Sequence, residues 1–241
     1  MRIAVWQARG PDAGSVRLAD AAGRAAAAGA DVVVTPELVA TGYGAPFGPP
    51  DPGLVGRWQE IAAQYRIAVV ASEPHAGHIT AVVVRADGVV ASRYVKTHLW
   101  GDDERAVFSP GDGTPLLVDL GGLRCGIVIC YDVEFPEVVR GLALAGAQAV
   151  LVPTALDDEA VARVLLPARA MENRVAVAYA NQVGAGFCGA SVIAGPDGRE
   201  LARAGADAEE LLVADVSVAD LERARGLGDY LADRRPEAHR W

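Results

Sequence analysis

Three turn signals, Ala86-Asp87-Gly88, Gly121-Gly122 and Gly195-Pro196-Asp197-Gly198, each stand between two strand-like runs and limit how this chain can fold. They read as β-hairpins joining 79–85 to 89–96, 116–120 to 123–130 and 190–194 to 199–204. Elsewhere strand and helix patterns alternate. Strand-like runs at 2–8, 31–36, 67–72, 149–153, 175–181 and 211–216 are interleaved with helical patterns at 15–28, 54–66, 136–145 and 158–174. Ser15 is a candidate N-cap for the first helix and Gly29 its stop, and Pro167 should break the last. Strict alternation would give a barrel or a doubly wound parallel sheet. The hairpins disagree with that, and predict two mixed sheets packed on each other with helices on their outer faces. Residues 42–53 are too rich in Gly and Pro for a regular element and form a shaped loop. No internal repeat, linker or low-complexity tract interrupts the pattern, so one domain covers 1–216. The polar tail 217–241, with Arg234-Arg235-Pro236, is expected to pack across a surface or a subunit interface.

Charge and cysteine usage narrow the function classes. The formal net charge of −9 argues against a nucleic-acid partner. No apolar run reaches the roughly 18–20 residues of a membrane span, so no membrane partner is expected. The N-terminus reads as a strand, without the charged, apolar and small regions of a signal peptide. Cys125, Cys130 and Cys188 form no even framework and no Cys-x-x-Cys, which fits a reducing, cytoplasmic setting. His75-Ala-Gly-His78 lacks further nearby ligands and reads as surface, so no metal is expected. Among 22 basic residues, 21 are Arg and one, Lys96, is Lys. A compact ammonium on a flexible stem is not interchangeable with a planar guanidinium.

Glu37 follows the run 31–36, Lys96 closes 89–96, and Cys130 ends 123–130. Ligand sites in layered α/β folds collect just beyond strand ends. A carboxylate can take a thiol proton, the thiolate can attack a carbonyl or nitrile carbon, and an ammonium can stabilise the oxyanion. Singly, each has a plainer reading: Cys130 as a small buried hydrophobe, Glu37 as a loop cap, Lys96 as a solvated rim residue. The three act together only if their strands converge. His98 is a rival partner for Cys130, although Glu37 and Lys96 already cover its roles.

Pro36-Glu37-Leu38 with Thr41-Gly42-Tyr43, Tyr94-Val-Lys96-Thr-His98-Leu99, and Cys125-Gly-Ile-Val-Ile-Cys130-Tyr-Asp-Val-Glu134-Phe-Pro-Glu137 stand in a telling order. Val152-Pro-Thr154, Arg169-Ala-Met-Glu172-Asn173, Asn181-Gln182, Gly189-Ala-Ser191 and Gly195-Pro-Asp-Gly198 continue it. With these motifs the chain resembles the carbon–nitrogen hydrolase (nitrilase-like) superfamily over nearly its whole length. The resemblance implies a four-layer α-β-β-α sandwich that pairs through a helical face into a homodimer or higher homo-oligomer. It implies Glu37 as general base, Cys130 as nucleophile, Lys96 as oxyanion stabiliser and the Tyr131 backbone N–H as second oxyanion donor, with no cofactor. A second glutamate orders such sites. Here Asp102 stands at its expected place, and Glu104 two residues later is the other candidate. Tyr43, Glu134 and Thr154 are candidates for lining the substrate pocket.

The branch is suggested by Lys96-Thr-His-Leu-Trp-Gly, Phe108-Ser-Pro-Gly111, Val152-Pro-Thr154-Ala155 and Tyr230-Leu-Ala-Asp233-Arg-Arg, which are similar to short-chain amidases of the 5-aminopentanamidase kind and to some stereoselective amidases. The implied activity is hydrolysis of a small primary aliphatic amide to carboxylate and ammonia through a thioester. N-carbamoyl hydrolysis, nitrile hydrolysis and a non-catalytic binding role are the alternatives. The acidic residues Glu134 and 102–104 would suit a cationic amine substrate, and read equally as solvated loops. The stretch 183–188 is shorter than in such relatives and should widen or reshape the pocket.

Overall fold

The computed structural model describes residues 1–11 and 14–238, without the side chains of 14–16, so the cap expected at Ser15 lies outside the described residues. The first sheet is built by β1 (Arg2–Gln7), β2 (Val32–Val34), β3 (Ala68–His75), β4 (His78–Val84) and β5 (Val90–Val95), with α1 (Gly14–Ala27) and α2 (Leu54–Tyr65) between its parallel strands. Its strands are apolar on both faces, as a sheet covered on both sides requires. Ile3, Val5, Val32, Val34 and Val70 join the interior between the sheets, whereas Ala4, Trp6, Val33 and Val69 pack with Leu18, Ala22 and Trp58 of α1 and α2. Small alanines let α1 lie close to the strands, and Trp58, 1% exposed, fills the space beside them. Each such large buried side chain contributes about 1.5–3 kcal/mol.

The second half of the chain opens with α3 (Gly101–Val107), then β6 (Leu116–Leu120), β7 (Leu123–Ile127), α4 (Pro136–Leu144), β8 (Ala149–Pro153), α5 (Leu166–Asn173) and β9 (Ala176–Ala180). A two-residue pair, β10 (Val183–Gly184) and β11 (Phe187–Cys188), precedes β12 (Val192–Ala194), β13 (Glu200–Arg203), β14 (Glu210–Asp215) and α6 (Val218–Gly226). The sheets run β14-β1-β2-β3-β4-β5 and β13-β12-β9-β8-β7-β6. All three expected hairpins are present, and helices cover the outer face of each sheet, so the architecture is the expected four-layer sandwich.

The two sheets share one pairing pattern. From β14 to β5 the pairings are antiparallel, parallel, parallel, antiparallel, antiparallel, and from β6 to β13 they are the same. The sequence showed no repeat because each layer asks only for apolar strands and a helical stripe, which many residue combinations satisfy.

One further difference has a local cause. Pro167 does not break its helix: it lies in the first turn of α5, where the missing N–H costs nothing, and a π-helical turn at Val161–Leu165 leads into it. The tail also begins on the chain's own core. Ser217 caps α6 through a reciprocal pair with Asp220, Leu221 and Ala224 are buried, and Arg174 donates to the Gly228 carbonyl while lying over the Tyr230 ring. No helix among the described residues is long and apolar enough to cross a membrane.

Candidate active site

The parallel strands of both sheets deliver their C-terminal ends to one place. Glu37, just past β2, donates its backbone N–H to the Thr154 carbonyl at the end of β8 across the sandwich, 3.0 Å away. Its own carbonyl accepts from the Gln182 amide at 2.7 Å. Leu38 then turns the chain at φ +48 and is held by the Ser72 hydroxyl, which accepts its N–H at 2.8 Å. Cys130, three residues after the apolar end of β7, sits at φ +46 and opens a 3-10 turn, Cys130–Glu134. That left-handed conformation is uncommon for a side chain larger than glycine and marks a residue held by its surroundings.

Lys96, immediately past β5, is fully buried and donates to Oε1 of Glu37 at 2.8 Å and Oε1 of Glu104 at 2.6 Å. A charge buried this far needs such partners. Glu104 is fixed in turn: its Oε1 accepts from the Tyr43 hydroxyl at 2.5 Å and its Oε2 from the Trp100 backbone N–H at 2.8 Å. The other candidate, Asp102, is fully exposed and pairs with Arg105. The carboxylate at the lysine is therefore Glu104. Three residues into α3, it is turned inward by the helix, while Asp102 faces solvent.

Electrostatics follow from this packing. Burial pushes the Glu37 carboxyl up to about 7; the Lys96 ammonium opposes the rise and the Glu104 charge adds to it. For Lys96, burial alone would lower the pKa, but the negative neighbours Glu37, Cys130 and Glu104 outweigh it and the ammonium is held above its ordinary value. Burial, with Glu37 adding, raises the Cys130 thiol well above its usual range, against the pull of Lys96. At neutral pH the set is a thiol beside a carboxyl poised to take its proton, with a permanent cation between two acids. Oε2 of Glu37 is buried and finds no hydrogen-bond partner among the described residues.

Sequence reasoning quoted Asp132 without giving it a role. It is fully buried, and Oδ1 accepts from Thr97 N–H and Oγ1 and from His98 N–H, at 3.2, 2.7 and 2.8 Å. Oδ2 accepts from the Tyr94 hydroxyl at 2.9 Å and the Ile129 N–H at 3.1 Å. Asp132 thus ties the segment carrying Lys96 to the turn carrying Cys130. The signal was present: an acid two residues after an apolar run, with Thr and His after the lysine. His98 lies 2.9 Å from Asp132 and stacks on Phe135, so its ring is engaged away from the thiol.

Cys130 opens into a cavity of about 150 Å³ lined by Tyr43, Trp100, Ala155, Leu156, Asp157, Ala185, Gly186 and Phe187 as well. The thiol is 3.8 Å from the Ala155 carbonyl oxygen. Tyr43 thus lines the same cavity as Cys130. Thr154 and Glu134 are not among its walls. Thr154 is fully buried behind it, its backbone carbonyl bonded to Glu37, and Glu134 is half-buried in the turn after Cys130. Tyr131, next after Cys130, carries its ring edge-on to Phe135, with centroids 4.9 Å apart. The stretch 183–188 folds as β10–β11 and brings Phe187 against Tyr43, ring centroids 5.9 Å apart. A larger cavity of about 610 Å³ lies elsewhere, between His98, Phe135, Pro115 and Leu142, and Cys130 does not line it. The described residues hold no group of three or more His, Cys, Asp or Glu able to bind a metal, and Cys125 and Cys188 are free thiols.

Comparison with known proteins agrees with this geometry. The family model for carbon-nitrogen hydrolases matches residues 2–226. A Pseudomonas protegens protein named "Hydrolase in pqqF 5'region" is 40% identical over 87% of this chain and 80% of its own length. An (R)-stereoselective amidase from a Pseudomonas species is 40% identical over 73% of this chain and 67% of its own. A glutamate-to-glutamine mutant of the amidase from Nesterenkonia sp. AN1, solved after Michael addition of acrylamide at its active-site cysteine, superposes with a TM-score of 0.85. It shares 37% identity, over 99% of this chain and 98% of that one. Fold, strand-end site and sequence all place the chain in one group: it belongs to the carbon–nitrogen hydrolase family.

Proposed function

We propose that this protein is an amidase that hydrolyses small primary aliphatic amides to a carboxylate and ammonia through a thioester on Cys130. The observation that carries the reading is the fully buried Glu37–Lys96–Glu104 cluster beside Cys130, opening on a cavity of only about 150 Å³. In the first half-reaction Glu37 takes the thiol proton as Sγ bonds to the amide carbon, and the carbonyl electron pair moves onto oxygen. Lys96 and the Tyr131 backbone N–H hold that oxyanion. Collapse breaks the C–N bond, and the proton on Glu37 goes to the leaving nitrogen, giving ammonia. In the second half-reaction Glu37 takes a proton from water, whose oxygen attacks the thioester carbon. Collapse then breaks the C–S bond and returns the proton on Glu37 to sulfur. The released carboxylic acid gives its own proton to ammonia in solution, leaving the carboxylate. Since the thiol is raised and Glu37 sits near neutrality, proton transfer and attack are coupled rather than preceded by a free thiolate. Amidases among the relatives support this chemistry.

The test is ammonia release from acetamide, propanamide, butanamide, 5-aminopentanamide, one nitrile and one N-carbamoyl amino acid, with Cys130→Ala as the blank. Ammonia from the amides that disappears in Cys130→Ala is expected. Release that survives the substitution would sink the mechanism. Carbon dioxide accompanying ammonia, or turnover of the nitrile alone, would move the substrate class to N-carbamoyl compounds or nitriles.

A further inference from the structure

Beside the catalytic cavity lies a second one of about 350 Å³, lined by Gly10, Pro11, Thr41, Pro46, Gly48 and Gln182 among others. Tyr43, Ala185 and Phe187 line both. These three side chains form the partition between the thiol-bearing space and the larger one. They differ in what they can give up. Tyr43 is bonded to Glu104 and lies 5.9 Å, ring centroid to Nζ, from Lys96, so it belongs to the charged cluster. Ala185 has only a methyl group to offer and sits at φ +53. Phe187 makes its ring contact with Tyr43 edge-on, at 77°, and is half-buried in the two-residue strand β11. Removing its ring costs no hydrogen bond, because a phenyl group carries no donor or acceptor.

We infer that Phe187 is the specificity-determining residue that limits the length of the acyl chain, by closing the catalytic cavity off from its neighbour. This rests on the amidase reading. A cavity of about 150 Å³ corresponds to about five waters, at roughly 30 Å³ each, and so to an amide of about four to six non-hydrogen atoms. Acetamide to butanamide fill that space, and a longer chain reaches the second cavity only past this partition. With the ring gone, each further methylene that enters the second cavity gains up to about fourfold in binding.

The experiment runs straight-chain amides from acetamide to octanamide against the wild type, Phe187→Ala and Phe187→Trp, with thermal melts to establish folding. Each amide is read twice, as ammonia release and as protection of Cys130 against alkylation by iodoacetamide, followed by intact mass. The wild type should favour two to four carbons. In Phe187→Ala the optimum should move beyond five carbons, with the hexanamide-to-acetamide ratio rising about tenfold or more over the wild type. Phe187→Trp should shorten the range. Folded variants whose length profile equals that of the wild type would overturn the partition, even with every short amide turned over. If no amide releases ammonia but protection lengthens in Phe187→Ala, the amidase reading fails and the partition stands. If the amides neither react nor protect, both fall.

Discussion

Lys96 is the residue on which the site's electrostatics turn. Its solitude in a chain of arginines was visible in the sequence, and the physical reason is now concrete: its amine fits between two carboxyl oxygens 2.8 and 2.6 Å away, in a space with no solvent exposure. What could not be read was which acid lies opposite. Asp102 and Glu104 are two residues apart, and only the unforeseen helix α3 decides which faces inward. Their difference yields a prediction. The Glu104 charge helps hold Glu37 near 7, and under the proposed mechanism Glu37 works as a base in its deprotonated form. In Glu104→Gln that charge is gone, so the Glu37 pKa falls and the acid limb of kcat/KM against pH moves to lower pH. Loss of the charged hydrogen bond to Lys96 should lower kcat/KM by about 10- to 100-fold. An acid limb that stays in place or rises would contradict the coupling. Asp102→Asn, altering only an exposed pair, should leave both unchanged within error.

At the scale of elements, the hairpins and apolar strands were legible because period-two patterning and Gly-Asp turn chemistry are local signals. The elements that shape the site were not. Residues 101–107 are polar and begin with Gly, and they are a helix because Glu104 is drawn in by Lys96 and Trp100. The 3-10 turn at Cys130 likewise depends on Asp132, whose partners Tyr94, Thr97 and His98 are more than thirty residues away. Long-range hydrogen bonds of this kind leave no periodic trace. Asp132→Asn keeps the shape, removes the charge and turns its amide NH2 toward groups that are themselves donors. We expect a loss of about 2–4 kcal/mol in stability. A fall in kcat larger than the change in KM should accompany it, because the segments carrying Lys96 and Cys130 lose their common anchor. A melt together with steady-state kinetics at 25 °C checks both, and a variant that melts lower but keeps its kcat would reduce Asp132 to a structural residue.

For the whole molecule, the helical layer on the second sheet is the unfinished one. Leu144 of α4, Met171 of α5 and Val164 of the π-helical turn between them are 49%, 42% and 64% exposed. We propose that a second copy covers this layer, and expect twice the chain mass by light scattering at micromolar concentration; Leu144→Glu with Met171→Glu should return a monomer. A monomeric wild type would refute it. The matching pairing pattern of the two sheets also has a consequence for how the chain comes into being. In the second sheet the outer partner β6 directly precedes β7, whereas in the first sheet the corresponding partner of β1 is β14, from the far end of the chain. Arg2 pairs with Asp215, and the terminal amine donates to the Val216 carbonyl. During synthesis, then, β1 carries an open edge until β14 has left the ribosome, while the second sheet needs no such wait. An open edge is a place for wrong partners. A nascent chain stopped short of residue 210 is the species that chaperones would have to shield.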